Sequence, residues 1–110
     1  MPESRRAHYR IAYPFVERPR FEVGRHSYEV LECSESGLSY AAPDRRVPDL
    51  GTELGGRILF RRGASIEVAG EVTRAHSGVV VLFLRLQGIP FSEMLREQRY
   101  LRSKGYTLLG

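Results

Sequence analysis

Between residues 65 and 73, apolar or small side chains occupy every second position, and this pattern constrains the fold more than any other feature of the sequence. The apolar or small residues at every second position are Ile66, Val68, Gly70 and Val72. A period of two predicts a β-strand with one buried face. After the turn signal His76-Ser77-Gly78 comes an apolar run, residues 79–86, which predicts a strand buried on both faces.

Shorter segments of the same kind precede this long strand. They predict strands at residues 20–23, 26–33, 38–42 and 54–60, separated by turn residues such as Gly24 and the Arg61-Arg62-Gly63 hairpin signal. Strands at this spacing, with few helices between them, indicate a sandwich or a barrel over residues 20–86. Closing the sheet would remove the exposed edges that a small all-β protein must otherwise protect.

The two ends of the chain differ from this centre. Residues 90–104 carry apolar side chains at helical spacing after Pro90, which predicts an amphipathic helix covering an apolar patch, such as the second face of strand 79–86. Residues 1–13 are polar and basic and lack a core-forming pattern. We therefore expect them to form a flexible arm that is mobile without a ligand and ordered with one.

Composition limits the classes of function. The chain has 110 residues, which fits one domain, and its formal net charge of +4 favours anionic partners without selecting one. The single cysteine, Cys33, excludes an intramolecular disulfide, and the three histidines lack metal-ligand spacing. No signal peptide, membrane span or catalytic constellation is recognisable, so we expect a cytoplasmic protein that is neither an enzyme nor cofactor-dependent.

Two short motifs carry the functional argument. Arg6 and Arg10 form an RxxxR pattern preceded by Arg5. Alone it is weak, because about two such pairs are expected by chance in so arginine-rich a chain. About two dozen residues later, the segment Glu32-Cys33-Ser34-Glu35-Ser36-Gly37 ends one predicted strand and leads into the next. The two motifs together are far more specific than either one.

This combination resembles the PilZ domain family of bacterial cyclic di-GMP receptors. Glu32-Cys33-Ser34-Glu35-Ser36-Gly37 is similar to the family's [D/N]xSxxG signature, with Ser34 and Gly37 in register and Glu32 where the family has Asp or Asn. The order of elements and the Val-Val-Val-Leu-Phe late strand match over nearly the whole chain. The resemblance implies a six-stranded antiparallel β-barrel with a C-terminal helix and a ligand site on its outer surface.

The resemblance also implies a role for each motif residue. Arg6 and Arg10 would grip phosphate and the O6/N7 edge of guanine, while Arg5 resembles the subset of PilZ domains that bind a mutually intercalated ligand dimer. Ser34 would supply a hydroxyl, Gly37 would let the backbone approach the ligand, and Glu32 would accept hydrogen bonds from guanine N1–H and N2–H. The expected function is a receptor whose surface changes on ligand binding and so regulates a partner protein.

Two other classes of function stay open at this point. One is a small-barrel nucleic-acid-binding protein, although its strand aromatics alternate with Glu as often as with Arg, unlike a stacking platform. The other is a PilZ-fold adaptor that has lost its ligand, which the intact arginine pair opposes and Glu32 supports. Glu32 itself either contacts the ligand or simply faces solvent.

Overall fold

Seven antiparallel strands surround one apolar core in the computed structural model, which describes residues 10–106. The strands are β1 (Arg10–Ala12), β2 (Arg20–Val23), β3 (His26–Ser34), β4 (Gly37–Ala41), β5 (Glu53–Leu59), β6 (Ser65–His76) and β7 (Val79–Gln87). The helices are a 3-10 helix (Phe15–Glu17) and the C-terminal helix α1 (Phe91–Ser103). The five strands and the helix predicted after residue 20 are confirmed to within two residues at most ends, as is the short strand at 20–23.

Six of the strands close into a barrel, as the family resemblance implied. Their order is β3-β2-β5-β6-β7-β4, and pairing of β4 with β3 completes the ring. The two-residue turn between β6 and β7 illustrates why short connections suffice. Ser77 and Gly78 both have positive φ, 53° and 77°, which matches the twist of the strands that they join.

Alternation along each strand builds the core. In β6, Val68 and Val72 are buried while Glu67 is exposed, as the period of two predicts. Inside the barrel Tyr40 packs between Phe21 and Tyr28, with ring centroids 5.2 Å and 5.0 Å away. Tilted aromatic pairs at this separation stabilise a core beyond the area that they bury.

The predicted arm is shorter than residues 1–13. Arg10–Ala12 form β1, which pairs with the last three residues of β3, and the Tyr13 N–H donates to the Leu31 carbonyl at 3.0 Å. Ile11 and Tyr13 are buried, so the expectation that this part lacks a core-forming pattern was wrong. A three-residue strand with one inward side chain is too short for its period to be recognised in the sequence. Residues 1–9 lie outside the described residues.

The outer face of β7 is not covered, contrary to the prediction of burial on both faces. Val81 is half-buried, and Phe83 is 46% exposed. The reason is where α1 packs: its side chains bond Tyr13, Cys33 and Arg62 rather than residues of this face.

Helix α1 buries a carboxylate. Glu97 is only 1% exposed, because Met94, Glu97 and Leu101 together form the face of the helix that packs on the barrel. The Tyr13 hydroxyl donates to Glu97 Oε1, and Arg62 Nε donates to Glu97 Oε2 at 2.6 Å. No helix within residues 10–106 is long and apolar enough to cross a bilayer.

Hydrogen bonds compensate for the burial of this carboxylate. Burial raises the pKa of Glu97, while the bonds from Tyr13 and Arg62 oppose that rise. Arg62 also bonds Glu93 and stacks over the Phe60 ring, with its guanidinium carbon 5.0 Å from the ring centroid. The network joins the end of β1, the β5–β6 hairpin and α1, three segments far apart in the chain.

Removing this carboxylate should destabilise the fold strongly. We expect Glu97→Ala to lower the free energy of unfolding by about 2–4 kcal/mol, because the buried Tyr13 hydroxyl loses its carboxylate acceptor and the partly buried Arg62 keeps only one of its two carboxylate partners, Glu93. Glu97→Gln keeps an acceptor for Tyr13 and should cost less. Urea unfolding measures both, with the exposed helix residue Arg99→Ala as the matched control, expected within about 0.5 kcal/mol of the unsubstituted protein. Equal stability of Glu97→Ala and Arg99→Ala would contradict this account.

Candidate functional site

A cleft with a volume of about 540 Å³ runs over the outer face of four neighbouring strands, β3, β4, β7 and β6. Strand register places one residue of each strand in a continuous row across it. Glu32 is opposite Ser39, Ser39 is opposite Val81, and Val81 is opposite Arg74. The row therefore has a carboxylate at one end, a guanidinium at the other, and a half-buried valine between them.

The near end of the cleft is formed by β1 and β3. Arg10 is directly opposite Ser34 in the β1–β3 ladder, and its guanidinium Nη1 lies 3.7 Å from Glu32 Oε1. The side chains are 70% and 48% exposed, so this ion pair stabilises the fold little and can be exchanged for other contacts. Two potential ligand groups of opposite charge thus lie side by side.

The turn from Ser34 to Gly37, which we call the signature turn, is hydrogen-bonded to β7 and to the segment that leads to α1. The Leu84 N–H donates to the Ser36 carbonyl at 2.8 Å, and the Ile89 N–H donates to the Glu35 carbonyl at 3.0 Å. These bonds satisfy two backbone carbonyls of the turn and hold the turn against the barrel.

Gly37 leaves room for the Ser34 side chain. A Cβ atom on Gly37 would lie 3.1 Å from Ser34 Oγ, closer than side chains normally approach. A side chain at this position would therefore require the Ser34 hydroxyl, which lines the cleft, to shift slightly. The glycine keeps that hydroxyl accessible from the outer surface.

Four of the six residues predicted from the sequence surround this cleft. They are Arg10, Glu32, Ser34 and Gly37. Arg5 and Arg6 lie outside the described residues. The sequence has a second pair of arginines four residues apart, Arg57 and Arg61, and it lies elsewhere on the barrel. Arg57 Nη2 is 3.9 Å from Glu67 Oε2, and Arg61 Nε donates to the Arg18 carbonyl at 3.1 Å.

The sequence did not reveal the wall of the cleft that lies opposite Glu32, which consists of Thr73 and Arg74. Strict alternation after the buried Val72 would turn Arg74 inward. Instead the register slips between Val72 and Arg74, so that Thr73 is an extra residue and both polar side chains are exposed. Such a β-bulge re-aims side chains next to binding sites. The signal in the sequence was an arginine at a position that the period assigns to the core.

A second hollow of about 280 Å³ continues the cleft beyond Gly37 and ends at Phe83. The exposed Phe83 ring is opposite Gly37 in the β4–β7 ladder, and since Gly37 has no side chain, it does not cover the ring. Together the two hollows offer cations, hydroxyls and apolar surface to one extended ligand.

The site is not suited to metal or thiol chemistry within the described part of the chain. Residues 10–106 contain no group of three or more His, Cys, Asp or Glu side chains that could hold a metal ion. Burial raises the pKa of the Cys33 thiol to about 12, so it stays protonated and poorly nucleophilic at neutral pH.

Comparison with known proteins agrees with this geometry. The PilZ domain model matches residues 4–102, nearly the whole chain. The chain belongs to the PilZ domain family. That family is a cyclic di-GMP-binding one, and its domains are generally binding or adaptor modules. In this member, Arg10, the second arginine of the RxxxR pattern, lies opposite Ser34 of the signature in the β1–β3 ladder.

Solved structures extend the likeness of fold. The PilZ barrel described here is similar to the crystal structure of an uncharacterized protein from Legionella, with a TM-score of 0.61 and 18% identity, covering 88% of this chain and 97% of that one. At this identity the likeness concerns the fold alone. No curated protein matches the chain.

Proposed function

We propose that this PilZ domain is a bacterial, cytoplasmic receptor that binds cyclic di-GMP in the cleft over β3, β4, β7 and β6, and that the bound ligand changes its contacts with a partner protein. One observation carries the proposal. Arg10 belongs to one sequence motif and Glu32, Ser34 and Gly37 belong to the other, and all four residues line one cleft. Family membership supplies the class of ligand.

The chemistry of these groups suits a cyclic dinucleotide. The Arg10 guanidinium is exposed and offers charge-assisted bonds to a phosphate or to guanine. Glu32 Oε atoms can accept from guanine N1–H and N2–H, and the Ser34 hydroxyl can donate or accept. Arg6 and Arg5, four and five residues before Arg10, would bring further guanidinium groups to the same end. That set would suit an intercalated ligand dimer as well as a single molecule.

An adaptor without a ligand is the second candidate, and one contact favours it. Glu32 stands where the family has Asp or Asn, and its carboxylate lies 3.7 Å from the guanidinium of Arg10. On that view the two groups satisfy each other and only protein contacts remain. Calorimetric titration with cyclic di-GMP, with GMP and single-stranded DNA as controls, separates the two candidates and also tests nucleic-acid binding. Micromolar or tighter binding of cyclic di-GMP alone, about −8 kcal/mol or better, supports the receptor.

Arginine substitutions should locate the site. Arg10→Ala and Arg6→Ala should each weaken cyclic di-GMP binding about tenfold or more, because each removes charge-assisted bonds to an anion. Arg57→Ala and Arg61→Ala are matched controls, since they remove the same side chain away from the cleft. Loss of binding in these controls, with retention in Arg6→Ala and Arg10→Ala, would move the site elsewhere.

Glu32 should act through its length as well as its charge. We expect Glu32→Asp to tighten binding severalfold, because a shorter carboxylate has one fewer torsion to fix and need not bend away, a gain of roughly 0.5–1.5 kcal/mol. Glu32→Ala should weaken binding by leaving guanine donors unpaired. The same titration series measures both. If neither substitution changes the affinity, Glu32 faces solvent in the complex and is not a site residue.

Partner regulation requires that the ligand change the surface of the domain, and we propose that residues 1–9 carry the change. Backbone NMR order parameters should then rise for residues 1–9 on ligand binding. Those of Ile11 and Tyr13 should stay the same, because both are already buried and paired with β3. Equal order parameters for residues 1–9 in both states would remove this mechanism while leaving ligand binding intact.

A further inference from the structure

Arg74 differs from the other arginines on the strands of residues 10–106 in having no acidic partner among those residues. Each of the other four lies within 4 Å of a carboxylate oxygen, in the pairs Arg10–Glu32, Arg20–Glu29, Arg57–Glu67 and Arg85–Glu71. Glu71, three residues before Arg74, is occupied by Arg85 Nη2 at 2.8 Å. The Arg74 guanidinium therefore lines the cleft with its donors available.

The position of Arg74 is built by the strand rather than by a free side chain on a loop. The bulge at Thr73 turns Arg74 outward and places it opposite Val81 in the β6–β7 ladder. Glu32 lies at the other end of the same row, three interstrand steps of about 4.8 Å away, or about 14 Å along the sheet. One cation stands at each wall of the cleft, since Arg10 is beside Glu32.

The surface between the two walls decides what Arg74 can contact. Beside it lie the half-buried side chains of Val79 and Val81, which suit the flat face of a base better than a phosphate. A base lying on these valines presents its edge to the wall that Arg74 and the Thr73 hydroxyl form. An arginine fork donating to two acceptors matches guanine O6 and N7, whereas adenine offers N7 but a donor at N6.

We propose that Arg74 binds the O6/N7 edge of one guanine and sets the preference of this cleft for guanine over adenine. The inference rests on the proposed cyclic di-GMP function and adds a residue outside the two motifs. It divides the reading of guanine between the walls: Glu32 accepts from the N1–H and N2–H edge at one end, and Arg74 donates to the O6/N7 edge at the other.

The test compares selectivity rather than affinity alone. Cyclic di-GMP and cyclic di-AMP are titrated into the unsubstituted protein and into Arg74→Ala, Arg74→Lys and Arg57→Ala, each checked for an unchanged thermal transition. Arg74→Ala should weaken cyclic di-GMP about tenfold or more and cyclic di-AMP little, so that the ratio of the two affinities falls about tenfold. Arg74→Lys keeps the charge but loses the fork, and its ratio should also fall. Arg57→Ala should leave the ratio unchanged.

A third ligand identifies the edge that is read. Cyclic di-IMP keeps O6 and N7 but lacks the N2 amino group, so Arg74→Ala should weaken it as much as it weakens cyclic di-GMP. An equal loss for the guanine and adenine ligands would make Arg74 a phosphate contact and overturn the proposal, as would no loss for either. If the unsubstituted protein binds cyclic di-GMP and Arg10→Ala does not, such results refute only the role of Arg74. Absence of binding to the unsubstituted protein would refute the proposed function together with it.

Discussion

Strand β3 is hydrogen-bonded along both edges, and the closed sheet depends on it. One edge pairs with β4, and the other pairs first with β2 and then with β1. The bond between β3 and β4 turns a curved sheet into a barrel, which fixes the neighbours of every strand around the ring. Because β3 also carries Glu32 and Ser34 on its outer face, the pairing that closes the core also positions the site.

A buried carboxylate connects helix α1 to the barrel. Glu97 is inaccessible to water yet bonded by Tyr13 and Arg62, so α1 is tied to the end of β1 and to the β5–β6 hairpin at the same point. Buried carboxylates are tolerated only when such bonds replace water. Tyr13 is three residues after Arg10, so this network also fixes the root of the N-terminal segment near the cleft.

The sequence was sufficient for features with a regular period and insufficient for features set by packing. Strands β2 to β7, their turns and α1 follow from alternation and from Gly and Pro positions, and the pairing of Arg10 with Ser34 agrees with the two motifs. Burial of Glu97 did not follow, because its partners come from distant segments. Nor did the exposure of Arg74, because an arginine at a core position of the period indicates that the alternation breaks but does not fix where the extra residue lies, which depends on the pairing of β6 with β7. The open face of β7 depends on where α1 packs, which amphipathicity alone does not specify.

The row from Glu32 to Arg74 makes some changes of chain length harmless and others destructive. Residues 45–50 connect β4 to β5 outside the row, so the chain can gain or lose residues there without changing the strand register across the cleft, whereas Gly51 and Thr52 are bonded to Val72 beside the bulge. One residue added within β6 next to Arg74 would change which residue lies opposite Val81, and since side chains alternate, it would exchange the inner and outer faces of the strand unless a further bulge absorbed it. Descendants of this chain should therefore diverge in length at the loop and keep a fixed count of residues within the strands of the cleft.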